Sequence, residues 1–187
     1  MRQPYDSYPT ESAVTKVLLD RVALSIDEDV NVTEPCAGDG AITTILQKRN
    51  CINVFSNDIN SAWDGHNSYK DATKPDVWKE WQQENPIDWV ITNPPFGSAN
   101  LILPLAYKAA TVGVAFLLRL TYLEPARNRG KWLRSHSSKL TNLIILGQPR
   151  PSFTGNGRTD CSTVAWMVWR KEARTDTIVD FVFDWKQ

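Results

Sequence analysis

The residues with the most definite chemistry are Asn93-Pro94-Pro95-Phe96, which follow the apolar run Trp89-Val90-Ile91-Thr92. Two successive prolines fix two φ angles and remove two N–H donors. Pro94 also drives Asn93 into an extended conformation. The expected product is a stiff corner that displays one amide side chain and exposed carbonyls. Such a corner accepts hydrogen bonds and suits an exocyclic amino group: the Asn93 side-chain oxygen takes one hydrogen and the Pro94 carbonyl the other. The amino nitrogen of adenine or cytosine is a poor nucleophile, because its lone pair is delocalised into the ring. Two acceptors aimed at its hydrogens favour a pyramidal nitrogen with the lone pair directed outward, toward a methyl donor. The acceleration would come from positioning and fixed dipoles. Asn is no base at neutral pH, so no general base is assigned. Pro95 completes the corner, and Phe96 offers a ring for stacking.

A second constellation lies upstream. Gly38 and Gly40 follow a short apolar run and open a helical stretch. The dinucleotide pattern G-x-G-x-x-G fails at Thr43, and the phosphate-cradling G-x-x-x-x-G-K-[ST] is absent. Two glycines still permit a tight turn and close backbone approach to a ligand. Glu34, just before them, would repel a pyrophosphate and suit a cation. Asp58 stands 18 residues after Gly40, the place of an acid that accepts ribose hydroxyls. An acid, two glycines and a second acid describe a site for a nucleoside that carries an amino acid. S-adenosyl-L-methionine fits, whereas NAD and ATP fit poorly. Asp71 follows a possible third strand and would accept from the cofactor's adenine amine. Cys36, Ile59 and Ala72 adjoin these residues and join the candidate cofactor contacts.

The positioning elements follow from periodicity and breakers. The pattern predicts strands at 30–33, 52–56, 88–92, 112–118, 142–146 and 163–169. It predicts helices at 41–49, 78–83, 98–110 and 126–135, with Pro104 kinking the third or marking its start. The run 112–118 has the continuous apolar character of a strand buried on both faces. Residues 177–185 have strand character without a clear place. Alternating strands and helices imply an α/β domain with a mostly parallel sheet, whose ligands bind beyond the carboxyl ends of the strands. Glu34, Asp58, Asn93 and Arg119 all fall at such ends.

The chain has 187 residues, 42% apolar and 22% charged, which excludes a disordered chain and a disulfide scaffold. No apolar run approaches the ~18 residues of a membrane span, and the polar N-terminus does not read as a secretory signal. Three scattered cysteines read as reduced thiols in a cytoplasmic protein. The two histidines, His66 and His136, are isolated and read as ordinary surface residues, so no metal site is expected. Net charge is zero but unevenly spread: residues 1–90 carry −7 and residues 119–158 carry +7. The basic half permits docking to a polyanion through one face. The loop 147–161 adds glycines, Arg150, Arg158 and the aromatic Phe153. Phe153 suits a second stacking surface for an extruded base, and the arginines suit phosphates.

Taken together, these residues resemble a Rossmann-like class I S-adenosylmethionine-dependent methyltransferase, most closely the amino-methyltransferases of DNA and the small phage-type adenine-N6 enzymes. Pro9-Thr10 matches that family's N-terminal cofactor segment, Glu34 to Gly40 its glycine loop, and Asp58 its ribose acid. Asp71 matches its adenine contact, Asn93 to Phe96 its catalytic motif with Phe for the commoner Tyr, and Phe153 its base-facing aromatic. The resemblance implies a seven-stranded sheet with helices on both faces and methyl transfer to adenine N6 in DNA. Arg119, Arg127, Arg129, Arg150 and Arg158 join Phe96 and Phe153 as substrate contacts. The motif equally serves RNA adenine, cytosine N4 or a protein glutamine amide. A binding module without turnover is the reading of another class. The 187 residues are expected to form one methyltransferase domain with no separate target-recognition domain, so that the loops 121–139 and 147–161 set specificity.

Overall fold

The computed structural model describes residues 10–24, 29–49, 52–151, 162–172 and 174–186, with backbone alone at 127 and 128. Its elements run α1 (Ser12–Arg21), β1 (Val30–Glu34), α2 (Ala41–Gln47), β2 (Ile52–Ser56), α3 (Pro75–Glu84) and β3 (Trp89–Thr92). They continue with α4 (Ala99–Ala109), β4 (Gly113–Arg119), α5 (Arg127–His136), β5 (Leu140–Leu146), β6 (Val164–Arg170) and β7 (Ile178–Val182). The seven strands form one sheet in the order β2-β1-β3-β4-β6-β5-β7. All pairings are parallel except those of β6, which is antiparallel to both β4 and β5.

Strand periodicity divides the core between two faces. In β4, Ala115 and Leu117 face one side while Val114, Phe116 and Leu118 face the other. In β6, Val164, Trp166 and Val168 oppose Ala165, Met167 and Trp169 in the same way. Both strands are apolar up to their terminal arginines because both faces are covered. α1 and α2 pack on the first face through Val14, Leu18, Ile42 and Leu46. α3, α4 and α5 pack on the second through Trp78, Trp81, Leu103, Ala106 and Trp132.

Two tryptophans tie the N-terminal segment to the sheet. Trp166 Nε1 donates to the Val14 carbonyl at 2.8 Å, and Trp89 Nε1 donates to the Leu24 carbonyl at 3.0 Å. Both rings are fully buried, and truncating either to Ala would cost about 3–5 kcal/mol. These bonds anchor α1, and with it Thr10 just ahead of the helix.

Several sequence expectations change. The possible third strand ahead of Asp71 is reduced to one parallel bridge between Asn57 and Ser68. The buried Asn57 side chain replaces the missing ladder. Its Nδ2 donates to the Pro35 and Lys70 carbonyls at 2.9 and 3.0 Å, and its Oδ1 accepts from the Lys70 N–H at 2.8 Å. The helix expected from Trp78 begins three residues earlier, because Pro75 occupies a first-turn position whose N–H has no helical partner in any case. Pro104 lies inside α4 rather than at its start. It forfeits one bond, to the carbonyl of Asn100, on the exposed side of that helix. The unplaced tail forms β7 at the sheet edge, parallel to β5. Among the described residues no helix is long and apolar enough to cross a membrane.

Candidate active site

The strand order reverses between β1 and β3, so the segments that leave these two strands diverge and open a crevice at their carboxyl ends. A cleft with about 820 Å³ of empty space, part of it open to solvent, lies there. Of the sequence candidates, Thr10, Glu34, Cys36, Gly38 and Asp58 line it on the β1–β2 side. Ile59, Asp71, Ala72, Asn93 and Pro95 line it as well.

Gly38 and Gly40 both have left-handed backbone, at φ 54° and 77°, which explains why glycines occupy these positions. Asp58 holds the loop directly. Its Oδ2 accepts from the Gly38 N–H at 2.7 Å, and its Oδ1 from the Asn60 N–H at 2.8 Å. A carboxylate has about four lone-pair sites, so acceptor capacity remains for ligand hydroxyls. Ile59 is half exposed and offers an apolar surface beside it. Asp71 uses Oδ1 to accept from the Thr73 N–H and hydroxyl at 2.9 and 2.7 Å. Those bonds, with Lys74 nearby, hold its carboxyl below the usual range. Its remaining lone pairs are acceptor capacity in the lining of the cleft.

Glu34 is buried at the end of β1 and accepts a hydrogen bond from the Thr43 hydroxyl. No Lys or Arg pairs with it among the described residues. Removal from water pushes its carboxyl up to about 8, against the lowering effect of Thr43, and Asp39 and Asp58 add repulsion. The same desolvation, with Asp58 and Glu34 close by, raises the Cys36 thiol. The cleft thus holds an uncompensated acid. It fits a ligand that brings its own positive charge, such as the amino acid portion of S-adenosylmethionine.

Asn93 follows β3, and its Nδ2 donates to Thr10 Oγ1 at 3.1 Å. In this orientation Oδ1 is the acceptor end of the amide. Pro94 is buried, and its carbonyl receives no backbone hydrogen bond among the described residues. The Pro95 carbonyl, by contrast, accepts from Ser98 and Ala99 at 2.9 and 3.1 Å and caps α4. Only part of the expected carbonyl display therefore remains for a substrate. Phe96 is half-buried, and the Arg119 guanidinium at the end of β4 lies over its ring. Phe96 and Arg119 thus sit beside the cleft rather than in its wall.

The other arginines separate. Arg129 is turned back on its own segment, donating to the Glu124 carbonyl at 3.0 Å and lying over Tyr122, away from the residues that line the cleft. Arg150 follows β5 and does not line the cleft. Arg127 begins α5. Pro9, Phe153 and Arg158 lie outside the described residues.

Three contributors escaped the sequence reading. Asn57 splices the β1 and β2 ends, as described above. His66, expected on the open surface, is half-buried beneath the glycine loop, with Nε2 2.8 Å from the Gly38 carbonyl and Nδ1 3.2 Å from Ser56 Oγ. Trp63 lines the cleft, and its buried Nε1 has no partner among the described residues. No local pattern marks Asn57 or His66, since these partners lie 10 to 28 positions away. Among the described residues no cluster of three metal-ligating side chains occurs.

No protein-family description and no curated protein matches the chain. Solved structures do. A Listeria monocytogenes protein assigned as a class I S-adenosylmethionine-dependent methyltransferase superposes with a TM-score of 0.64 at 11% identity, covering 96% of this chain and 67% of that one. The methyltransferase subunit of a type I restriction-modification system from Streptococcus thermophilus gives 0.66 at 15% identity, covering 94% and 47%. A Pyrococcus horikoshii protein assigned as an RNA methyltransferase gives 0.53 at 14% identity, covering 84% and 80%. The chain has the Rossmann-like fold of class I methyltransferases. It spans about half the length of the restriction-modification subunit.

Proposed function

We propose that this chain transfers a methyl group from S-adenosylmethionine to the exocyclic N6 of adenine in DNA. The observation that carries the reading is the shared cleft. Asn93, held by Thr10, and the uncompensated acid Glu34 line one space at the ends of adjacent strands. Fold likeness to the restriction-modification methyltransferase subunit favours a nucleic acid substrate, as does the basic segment 119–158.

Glu34, Gly38 and Asp58 would hold the cofactor's polar groups, with Ile59, Asp71 and Ala72 around its adenine and Pro9, Cys36 and Gly40 completing the contacts. When bound, S-adenosylmethionine supplies an electrophilic methyl on a cationic sulfur. Asn93 Oδ1 and the Pro94 carbonyl accept the two amine hydrogens and orient the nitrogen lone pair. Phe96 stacks on the flipped base, with Phe153 as the second surface. Asn93 does not remove the amine proton, which leaves with solvent after the nitrogen has become cationic. The catalysis is positional and electrostatic.

The test is parallel incubation of purified protein and labelled cofactor with DNA, RNA and protein substrates. The reading expects label in DNA, recovered as N6-methyladenine after digestion. Label confined to RNA or to protein amides transfers the same chemistry to another substrate and overturns the DNA assignment. Cofactor binding with no transfer to any substrate overturns catalysis and leaves a binding module.

A further inference from the structure

Helix α5, Arg-Asn-Arg-Gly-Lys-Trp-Leu-Arg-Ser-His, contains no carboxylate. Lys131 and Arg134 are exposed. Arg127 falls on the same helical face by register, since positions i, i+4 and i+7 align. The opposite face is pinned by aromatics. The Trp132 and His136 rings stack at 4.4 Å, and Trp132 also meets Trp169 edge-on at 5.4 Å. Tyr107 meets His136 edge-on at 4.9 Å. The rotation of the helix is therefore fixed, and its cationic side must face outward.

The positive strip continues past the helix. Lys139 Nζ donates to the Lys171 carbonyl at 2.5 Å, and the Lys171 ammonium lies 4.3 Å from the Tyr107 ring centroid. Removal from water, and then the nearby Lys139, hold Lys171 below the usual lysine range. Among the described residues no carboxylate pairs with Lys131, Arg134, Lys139 or Lys171. Elsewhere pairing is common: Arg21, Arg49, Lys70, Lys74, Lys79 and Lys186 each have an acidic partner. What marks this face is that four cations without such a partner lie along α5 and its continuation.

Its placement matters. β4 ends at Arg119, on the Phe96 ring, and α5 begins just after the turn that follows. β5 runs parallel to β4, since β6 is antiparallel to both. α5 therefore returns the chain from the Phe96 end of the sheet to its far end. Ten helical residues span about 15 Å, and duplex DNA presents one phosphate charge per about 1.7 Å of axis.

We infer that the outward face of α5, continued by Lys139 and Lys171, is a backbone track that holds the nucleic acid strand leading into the Asn93–Phe96 corner. This assignment rests on the methyl-transfer reading and adds to it the surface that carries the substrate's phosphates.

The test is the salt dependence of binding to a defined DNA duplex, compared among the wild type, Lys131→Gln/Arg134→Gln, and Lys16→Gln/Lys48→Gln on the opposite layer. Loss of two phosphate contacts lowers the slope of log affinity against log salt by about 1.8. The first variant is expected to show that drop, with its affinity deficit growing about sixty-fold between 1 M and 100 mM salt. The control variant keeps the wild-type slope. Calorimetric affinity for S-adenosylmethionine is unchanged in both, which reports intact folding. A wild-type slope in Lys131→Gln/Arg134→Gln, in protein that still labels DNA, overturns the track and leaves methyl transfer standing. Wild-type protein with neither DNA affinity nor labelling overturns both. Equal loss in the control variant, or loss of binding to phosphatidylserine vesicles in place of DNA, also overturns the track.

Discussion

The guanidinium of Arg119 lies 4.4 Å from the centroid of the Phe96 ring. This contact joins the end of β4 to the corner that follows β3. The guanidinium covers one face of that ring. Under the proposed reading, Arg119 would hold the ring in place for a stacked base.

Arg119→Gln should raise KM for DNA about 3- to 30-fold, the span of a cation–π contact of about 0.5–2 kcal/mol, with cofactor affinity unchanged. In a Phe96→Leu background the same substitution should have little further effect, because its partner is already gone. Steady-state kinetics of the double-mutant cycle decide this. Additive losses would show that Arg119 acts independently of the ring.

The raised carboxyl of Glu34 makes stability fall with pH. The folded protein retains to about 8 a proton that the unfolded chain releases near 4.5. The stabilising contribution is present below 4.5, declines above it, and is lost as pH passes 8. Glu34→Gln should therefore stabilise the ligand-free protein at pH 8 by a few kcal/mol, on the order of 2–4. The two proteins should converge in melting temperature near pH 4. The same variant should bind S-adenosylmethionine at least ten-fold more weakly. Binding to the wild type at pH 6.5 should release close to one proton, measured by calorimetry in buffers of different ionisation enthalpy.

His66 braces the glycine loop from below through the Gly38 carbonyl. His66→Ala removes this donor and should weaken cofactor binding about 5- to 20-fold, consistent with one lost and partly buried hydrogen bond. His66→Gln retains a donor and should recover part of the loss. Once the variants are saturated with cofactor, turnover should be near wild type. A turnover defect at saturation would place His66 in the chemistry instead.

Thr10 Oγ1 accepts the Asn93 amide hydrogens. Thr10→Val keeps the shape and removes this one bond to the amide. The expected result is a fall in kcat of about ten-fold or more with KM for DNA little changed, since an acceptor must point at the amine for the orientation effect to act. Thr10→Ser should restore most of the activity.

How far the chain's own letters reach can be judged residue by residue. Gly38, Gly40 and the Asn93-Pro94-Pro95-Phe96 corner were legible because φ restriction is local. So was β4, since seven residues with almost no polar member admit only a doubly covered strand. The direction of β6 was not legible, because alternation is the same in parallel and antiparallel strands. β7 gave no clear face. Ile178, Val179 and Phe181 are more than half exposed at the sheet edge, so burial did not impose alternation on them. The bracing by Asn57 and His66 depends on side-chain bonds across distant segments, which periodicity does not encode. The turned-back pose of Arg129 depends on the geometry of the helix start and looked the same in sequence as a phosphate contact.

The most direct measurement separates binding from transfer in Asn93→Ala. Calorimetry with S-adenosylmethionine and a single-turnover assay on DNA should be run on the same preparation. Cofactor affinity within a few-fold of wild type, with the methylation rate down by about three orders of magnitude, is the outcome expected of an acceptor that orients the amine. A single-turnover rate close to wild type would contradict it, since the nitrogen would then be oriented by groups other than the corner that follows β3.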